Sequence, residues 1–189
     1  MLIDDDEIEI FHIGSPIIRA HSQRVSAAQG AKACETLTQK LRALQGAGLA
    51  APQIGLPYRV FVVEVHKNEM FPERPSSPLY TVINPSVEFI GSEEDIDYEV
   101  CFSVPGYVGI VPRYRKLKLN WTDPDGTDRE EIFEDYLARV VQHEFDHLNG
   151  LLYIDRMTDM KSFCTRENYM RNRMESQCLT VKRVDPENN

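Results

Sequence analysis

The sequence predicts an α+β fold: antiparallel or mixed β-sheets packed around a central His-Glu-x-x-His helix, with one helix near the N-terminus and one near the C-terminus. Short apolar or alternating runs recur between about residues 58 and 133, separated by Pro, Gly and acidic turns, which is strand spacing. Helical periodicity is confined to about 26–45, 135–149 and 160–177. Strands that run together, with one helix before them and two after, make an α+β domain. A chain of 189 residues fits one domain, placed at 1–179, with 180–189 as a flexible tail.

The elements follow in order. Residues 1–9 read as a frayed acidic tip, and Gly14-Ser15-Pro16 as a turn. Ala33, Leu37, Leu41 and Leu44 form one stripe of a helix over about Ser26–Gln45, with Cys34 one step off it as a small packed side chain. Gly46 to Gly55 is a loop of small residues whose one polar side chain is Gln53. Tyr58–Val65 is a buried strand, and His66–Pro78 a surface loop with a solvated His66. Leu79–Ile83 and Val87–Ile90 are strands around an Asn84-Pro85 turn, and Ser92–Asp97 is an acidic connector. Tyr98–Ser103 and Tyr107–Val111 are strands. Lys116–Trp121 and Glu130–Phe133 pair across Asp123-Pro124-Asp125-Gly126. The next helix has Glu134 and Asp135 as start signals, Leu137, Val140, Val141, Glu144 and Leu148 as its stripe, and Gly150 as its stop. Leu151–Ile154 is a short strand. Asp159 caps a last helix to about Gln177, with Phe163, Met170 and Met174 inward.

Composition narrows the function. A net charge of −9 argues against DNA or anionic membranes as partners. The excess acid reads as solubility. No apolar run reaches the ~18 residues of a membrane span. The acidic N-terminus lacks the basic and apolar regions of a secretory signal, so a cytoplasmic location is the default. Cys34, Cys101, Cys164 and Cys178 form no C-x-x-C pair, and in a reducing compartment they are free thiols or ligands.

His143 and His147 lie one helical turn apart, ~6 Å of rise, on one face that can grip a metal ion. Glu144 stands where a carboxylate acts on water rather than coordinating. The third ligand is open. Glu167, 20 residues past His147, suits a thermolysin-like peptidase, although Arg171 stands where that pattern has Asp. Tyr153 replaces the third histidine of a metzincin and ends that reading. Cys101, on a strand in Glu99-Val100-Cys101-Phe102-Ser103, is the other candidate.

Gly46-Ala47-Gly48-Leu49-Ala50-Ala51-Pro52-Gln53-Ile54-Gly55, then Glu99-Val100-Cys101-Phe102-Ser103, then Gln142-His143-Glu144-Phe145-Asp146-His147-Leu148-Asn149-Gly150 resemble, in order, the three motifs of peptide deformylases. The similarity runs from about Ile10 to Met157, and the C-terminal helix is like that of the family's Gram-negative type. The resemblance implies that Cys101, His143 and His147 hold one divalent ion. That ion would be Fe(2+) in the cell, with Zn(2+) or Ni(2+) able to take its place. It implies Glu144 as the catalytic carboxylate, and Gln53 with the Phe102 backbone N–H as donors to the reacting formyl oxygen. Gly48 matches a backbone position that pairs with the substrate. Glu99 and Arg113 match a structural ion pair. Gly46, Val140 and Val100 complete the expected substrate-binding set. Two residues depart from the usual Glu-Gly-Cys-Leu-Ser. Val100 replaces a glycine and Phe102 a leucine, which bears on substrate range and rate more than on metal binding.

The function implied is hydrolysis of the N-formyl group of N-terminal formylmethionine on new polypeptides, releasing formate. A thermolysin-like metallopeptidase using Glu167 and a non-catalytic deformylase relative are the alternatives. A monomer is favoured. For Lys161, Arg166, Arg171 and Arg173 a solvated helix face is preferred to a local ribosome contact.

Overall fold

The computed structural model describes residues 9–67 and 74–172. The expected tail at 180–189, the tip before residue 9, and Arg173, Met174 and Cys178 lie outside them. The first helix, α1, spans Ala27–Leu44. Ser26 caps it, accepting from the Gln29 N–H while the Gln29 side chain returns to the Ser26 N–H. Its buried stripe includes Cys34, whose thiol is pushed up to about 12, chiefly by burial. That cysteine is packing, as its position suggested.

Strands β1 (Gly48–Ala50), β2 (Val60–Val63), β3 (Tyr80–Phe89), β6 (Lys116–Thr122) and β7 (Asp128–Glu134) make one antiparallel sheet in the order β1-β2-β3-β6-β7. Strands β4 (Glu94–Cys101), β5 (Val104–Tyr114) and β8 (Cys164–Thr165) make a second, in the order β4-β5-β8. All strand pairs are antiparallel. Val60 and Val62 of β2 pack with α1, while Phe61 and Val63 face the second helix, α2 (Asp135–Leu148). This alternation is the two-residue period of a strand buried on both faces. Helix α2 also packs on β5 of the smaller sheet. It is therefore held between two sheets, and it buries Arg139, Gln142, Glu144, Asp146 and His147 along with its apolar stripe.

Several expectations need correction. The Gly46–Gly55 segment is not a plain loop: it contains β1 and a 3-10 turn at Ala51–Ile54, because its small residues let a strand pair with β2 beneath α2. Asn84-Pro85 is a bulge inside β3, where Asn84 takes φ 54 and its amide bonds both backbone groups of Val25. The acidic 94–97 stretch is strand, pairing with Val111–Tyr114 on an exposed edge where charge is tolerated. Residues 151–154 form a 3-10 turn at Tyr153–Asp155, closed by the Asp155 carboxylate accepting from the Leu152 N–H. Asp159 caps only a 3-10 turn, Met160–Ser162, and the last helix begins at 166. Tyr169 of that helix meets Tyr98 at 4.5 Å between rings. Asp135 makes no cap; it sits at φ 49 with its carboxylate on Arg115. Gly150, at φ 73, is the stop expected. Among the described residues, no helix is long and apolar enough to cross a membrane.

Candidate metal centre

Helix α2 brings His143 and His147 together, with ring centroids 5.0 Å apart. Cys101 ends β4 at a two-residue hairpin turn, Phe102-Ser103, before pairing resumes at Val104. A turn this tight leaves the thiol facing the helix. The Cys101 Sγ lies 3.3 Å from His147 Nε2, and one ligand atom from each of the three residues falls within 4.8 Å of the others. A thiolate with two imidazoles suits Zn(II), Fe(II) or a similar ion, and not Mg(II) or Ca(II).

Two of the three ligands, His143 and Cys101, are held from behind. Glu99 Oε2 lies 2.8 Å from His143 Nδ1. The ionised carboxylate only accepts, so that nitrogen carries the proton and Nε2 is left as the donor atom. Burial alone would push Glu99 up, but Arg113, paired through both oxygens at 2.8 and 2.9 Å, holds it well below the usual carboxylate range. Arg139 donates to the same carboxylate at 2.9 Å, and Arg113 also reaches Asp146 at 2.5 Å. For His147, burial first and then the cations nearby push the ring well below its ordinary value, which favours the neutral ligand form. The Ser103 N–H points to Cys101 Sγ at 3.4 Å.

Glu144 is the contrasting group. Its carboxyl is buried, and burial pushes it up to about 7. A proton there can be taken and returned near neutral pH. Among the described residues, Glu144 Oε2, His147 Nδ1 and Tyr153 Oη are buried without a hydrogen-bond partner. Gly48 lies directly against this carboxylate, and a Cβ there would overlap it. Gln53 is buried, and its Oε1 accepts from the Ala50 N–H at 2.8 Å. Its Nε2 therefore faces the centre, 3.2 Å from Ser103 Oγ and 3.6 Å from Cys101 Sγ.

A sequence profile described as Polypeptide deformylase matches residues 8–163. The chain is 37% identical over 166 residues to a protein named Peptide deformylase from Leptospira biflexa, covering 85% of this chain and 93% of that one. The chain belongs to the polypeptide deformylase family. It is also 41% identical to Peptide deformylase 1 of Prochlorococcus marinus, covering 82% of this chain and 83% of that one. A crystal structure of the class I type b peptide deformylase from Acinetobacter baumannii bound to Met-Ala-Ser matches at TM-score 0.76 and 30% identity. It covers 79% of this chain and 98% of that one.

The departures from the family motif fall on tolerant ground. Val100 lies in β4 with 54% exposure and without the positive φ that would demand glycine. The Phe102 ring turns toward α1 and lies over Gly46, where a Cβ would come within 2.7 Å of it. Val140 packs with Ala50 and Phe61 in the core beside β1. The Glu167 alternative fails: that side chain is exposed and paired with Arg171 at 2.8 Å, outside the Cys/His/His group. The family is metal-dependent. Arg139, Asp146 and Ser103 were missed in the sequence. A signal existed for two of them, since Arg139 is four residues before His143 and Asp146 three after it, on neighbouring positions of one helix side.

Proposed function

We propose that this chain removes the formyl group from the N-terminal formylmethionine of newly made polypeptides in the cytoplasm, releasing formate. The observation that carries the proposal is Glu144, a buried carboxyl raised to about 7 and lying beside a Cys101/His143/His147 ligand set. The catalytic unit is residues 1–179, acting as a monomer.

Cys101, His143 and His147 would hold the divalent ion, Fe(II) in the cell. When bound, it would supply Lewis-acid chemistry that lowers the pKa of water from ~15.7 toward ~7. Glu144 takes a proton from the attacking water. The water oxygen bonds to the formyl carbon, and the carbonyl oxygen gains charge. Gln53 Nε2 and the Phe102 N–H donate to that oxygen, each worth ~3–4 kcal/mol in the barrier by analogy with oxyanion donors. Glu144 then gives its proton to the amine nitrogen as the C–N bond breaks, leaving formate and a free N-terminus. Among the described residues strand β1 is an edge of its sheet, so its outer side can pair with a peptide backbone at Gly48. Gly46, Val100 and Val140 border the methionine and the residues after it.

The test is formate release from formyl-Met-Ala-Ser by protein loaded with Fe(II) or Ni(II). Turnover is expected with both. No turnover by fully loaded protein would mean a non-catalytic relative. Cys101→Ala is expected to lose the metal, while Glu167→Gln keeps it.

A further inference from the structure

The three motifs meet at one segment that contains none of them. The Phe11 N–H donates to the Gln53 carbonyl at 2.8 Å, and the Ile13 N–H donates to the Ser103 carbonyl at 2.7 Å. Further along, Ser22 N–H donates to Leu148 O at 2.9 Å, at the end of the metal-binding helix. Arg19 Nη1 reaches the Gly150 carbonyl at 3.4 Å and pairs with Asp155. Ile18, fully buried, packs in one cluster with Cys101 and Tyr153. The segment 11–23 is thus bonded to the Gln53 turn, the Cys101 turn and the C-terminal end of α2.

We infer that residues 11–23 act as a positioning strap that sets the separation of the two oxyanion donors, Gln53 Nε2 and the Phe102 N–H. The inference rests on the deformylase reading above. Its reasoning is geometric. The attachment points on the strap are two residues apart, and two residues of chain span at most about 7 Å. The Gln53 turn and the Phe102-Ser103 turn come from different sheets, β1 with its following 3-10 turn and the β4–β5 hairpin. Besides the strap, among the described residues the bonds between these two turns are one from Gln53 Nε2 to Ser103 Oγ at 3.2 Å and a weaker contact to Cys101 Sγ at 3.6 Å, both made by a side chain and neither by backbone. The Ile13 side chain is 46% exposed, so what the residue offers the fold here is its backbone N–H. Phe11 fixes its end by laying its ring over Gly55, 2.7 Å from where a Cβ would be. A donor pair displaced by an ångström weakens transition-state binding far more than ground-state binding.

The experiment deletes one N–H. In Ile13→Pro, kcat for formyl-Met-Ala-Ser is expected to fall at least ~10-fold, with KM within ~3-fold of wild type. Bound metal per chain stays unchanged, and the Gln53 side-chain amide resonances shift in the NMR spectrum. Ile13→Ala keeps the N–H and loses less than ~2-fold, since an exposed side chain contributes little. If Ile13→Pro does not fold, the same N–H is removed by an amide-to-ester change at Ile13, in a synthetic 1–33 segment ligated at Cys34. A folded N–H-deleted variant with kcat within ~2-fold of wild type overturns the strap, as does a rise in KM alone. Wild-type protein that releases no formate would instead sink the deformylase reading, before any variant is compared.

Discussion

The two sides of helix α2 treat buried charge in opposite ways. On the Glu99 side every oxygen has partners. Glu99 takes four donors, from Arg113 twice, Arg139 and His143, and Asp146 takes Arg113 and Arg156. On the Glu144 side, the same kind of group is buried with one oxygen unpartnered. Buried ions are tolerable when paired and expensive when not. The paired side is a frame that orients His143. The unpaired side is where a proton has to move, because an acid fully satisfied by arginines could not be re-protonated near pH 7. Adjacent helix residues thus face opposite regimes: His143 bonds Glu99 of β4, a carboxylate held well below its usual range, while Glu144 is raised to about 7.

The widest test of this contrast is Glu144→Gln. It keeps the shape and removes the base. Formate release should fall by ~10²–10⁴-fold with metal content unchanged. Stability should move the other way. A carboxyl whose folded value is raised costs the fold stability as pH climbs from the ordinary range near 4.5 to about 7. Glu144→Gln should therefore stabilise the metal-free chain at pH 8 by roughly 1–3 kcal/mol and leave it unchanged at pH 4. Urea unfolding at both pH values reads this, and a loss at pH 8 would mean Glu144 is paired in solution.

Breaking the satisfied side should give the reverse. Arg113→Met takes two of Glu99's four donors and one cation from Asp146, and a loss of about 3–5 kcal/mol is expected by urea unfolding at pH 7. Glu99→Gln should weaken metal binding ~10–100-fold, since the His143 ring loses its charged acceptor. Because Glu99 is held low, its contribution is intact above its ordinary range and lost as pH falls below it. The wild-type chain should then lose more stability than Glu99→Gln between pH 5 and pH 3. Equal losses would show that the pair adds nothing.

How much of this contrast could be read beforehand follows from the same physics. His143, His147 and Glu144 are legible because four residues of helix make one turn, a local rule. Cys101 is not legible locally. It needs a hairpin turn to face a helix from another sheet, and only the match of three motifs to a family raised it. Nothing local marks Arg139 as buried, since one apolar stripe predicts one buried face. The second sheet against α2 buries the other face too, and no periodicity within fifteen residues reports a distant sheet. The Asn84-Pro85 bulge failed for a related reason. Its turn-like residues are used to tie the strand to Val25, a long-range partner.

Gly48 is where the unpaired side touches the sheet. Gly48→Ala puts a methyl group into the Glu144 carboxylate. The carboxylate must rotate or β1 must retreat. An activity loss of ~10–100-fold is expected, with stability lower by about 1–3 kcal/mol. The combination Gly48→Ala with Glu144→Ala should recover most of the stability and none of the activity. A double variant as unstable as Gly48→Ala would place the clash elsewhere.

Val100→Gly should give the smallest change, and it sharpens the comparison by testing how much the rim of the proposed peptide-binding border contributes. Val100 neighbours Cys101 in sequence, yet it stands on an exposed edge strand with extended backbone and partners no charged group of either side. Replacing it with the family's glycine loosens β4 just before the ligand. The strand loses a β-branched residue and gains unfolded-state entropy, so the chain should be destabilised by about 0.5–1 kcal/mol. Turnover of formyl-Met-Ala-Ser should stay within ~2-fold, because neither the hairpin turn nor the Glu99 frame depends on that side chain. A KM that falls several-fold with kcat unchanged would show instead that the isopropyl group stands in the path of the peptide, and that this edge of the cleft selects substrates.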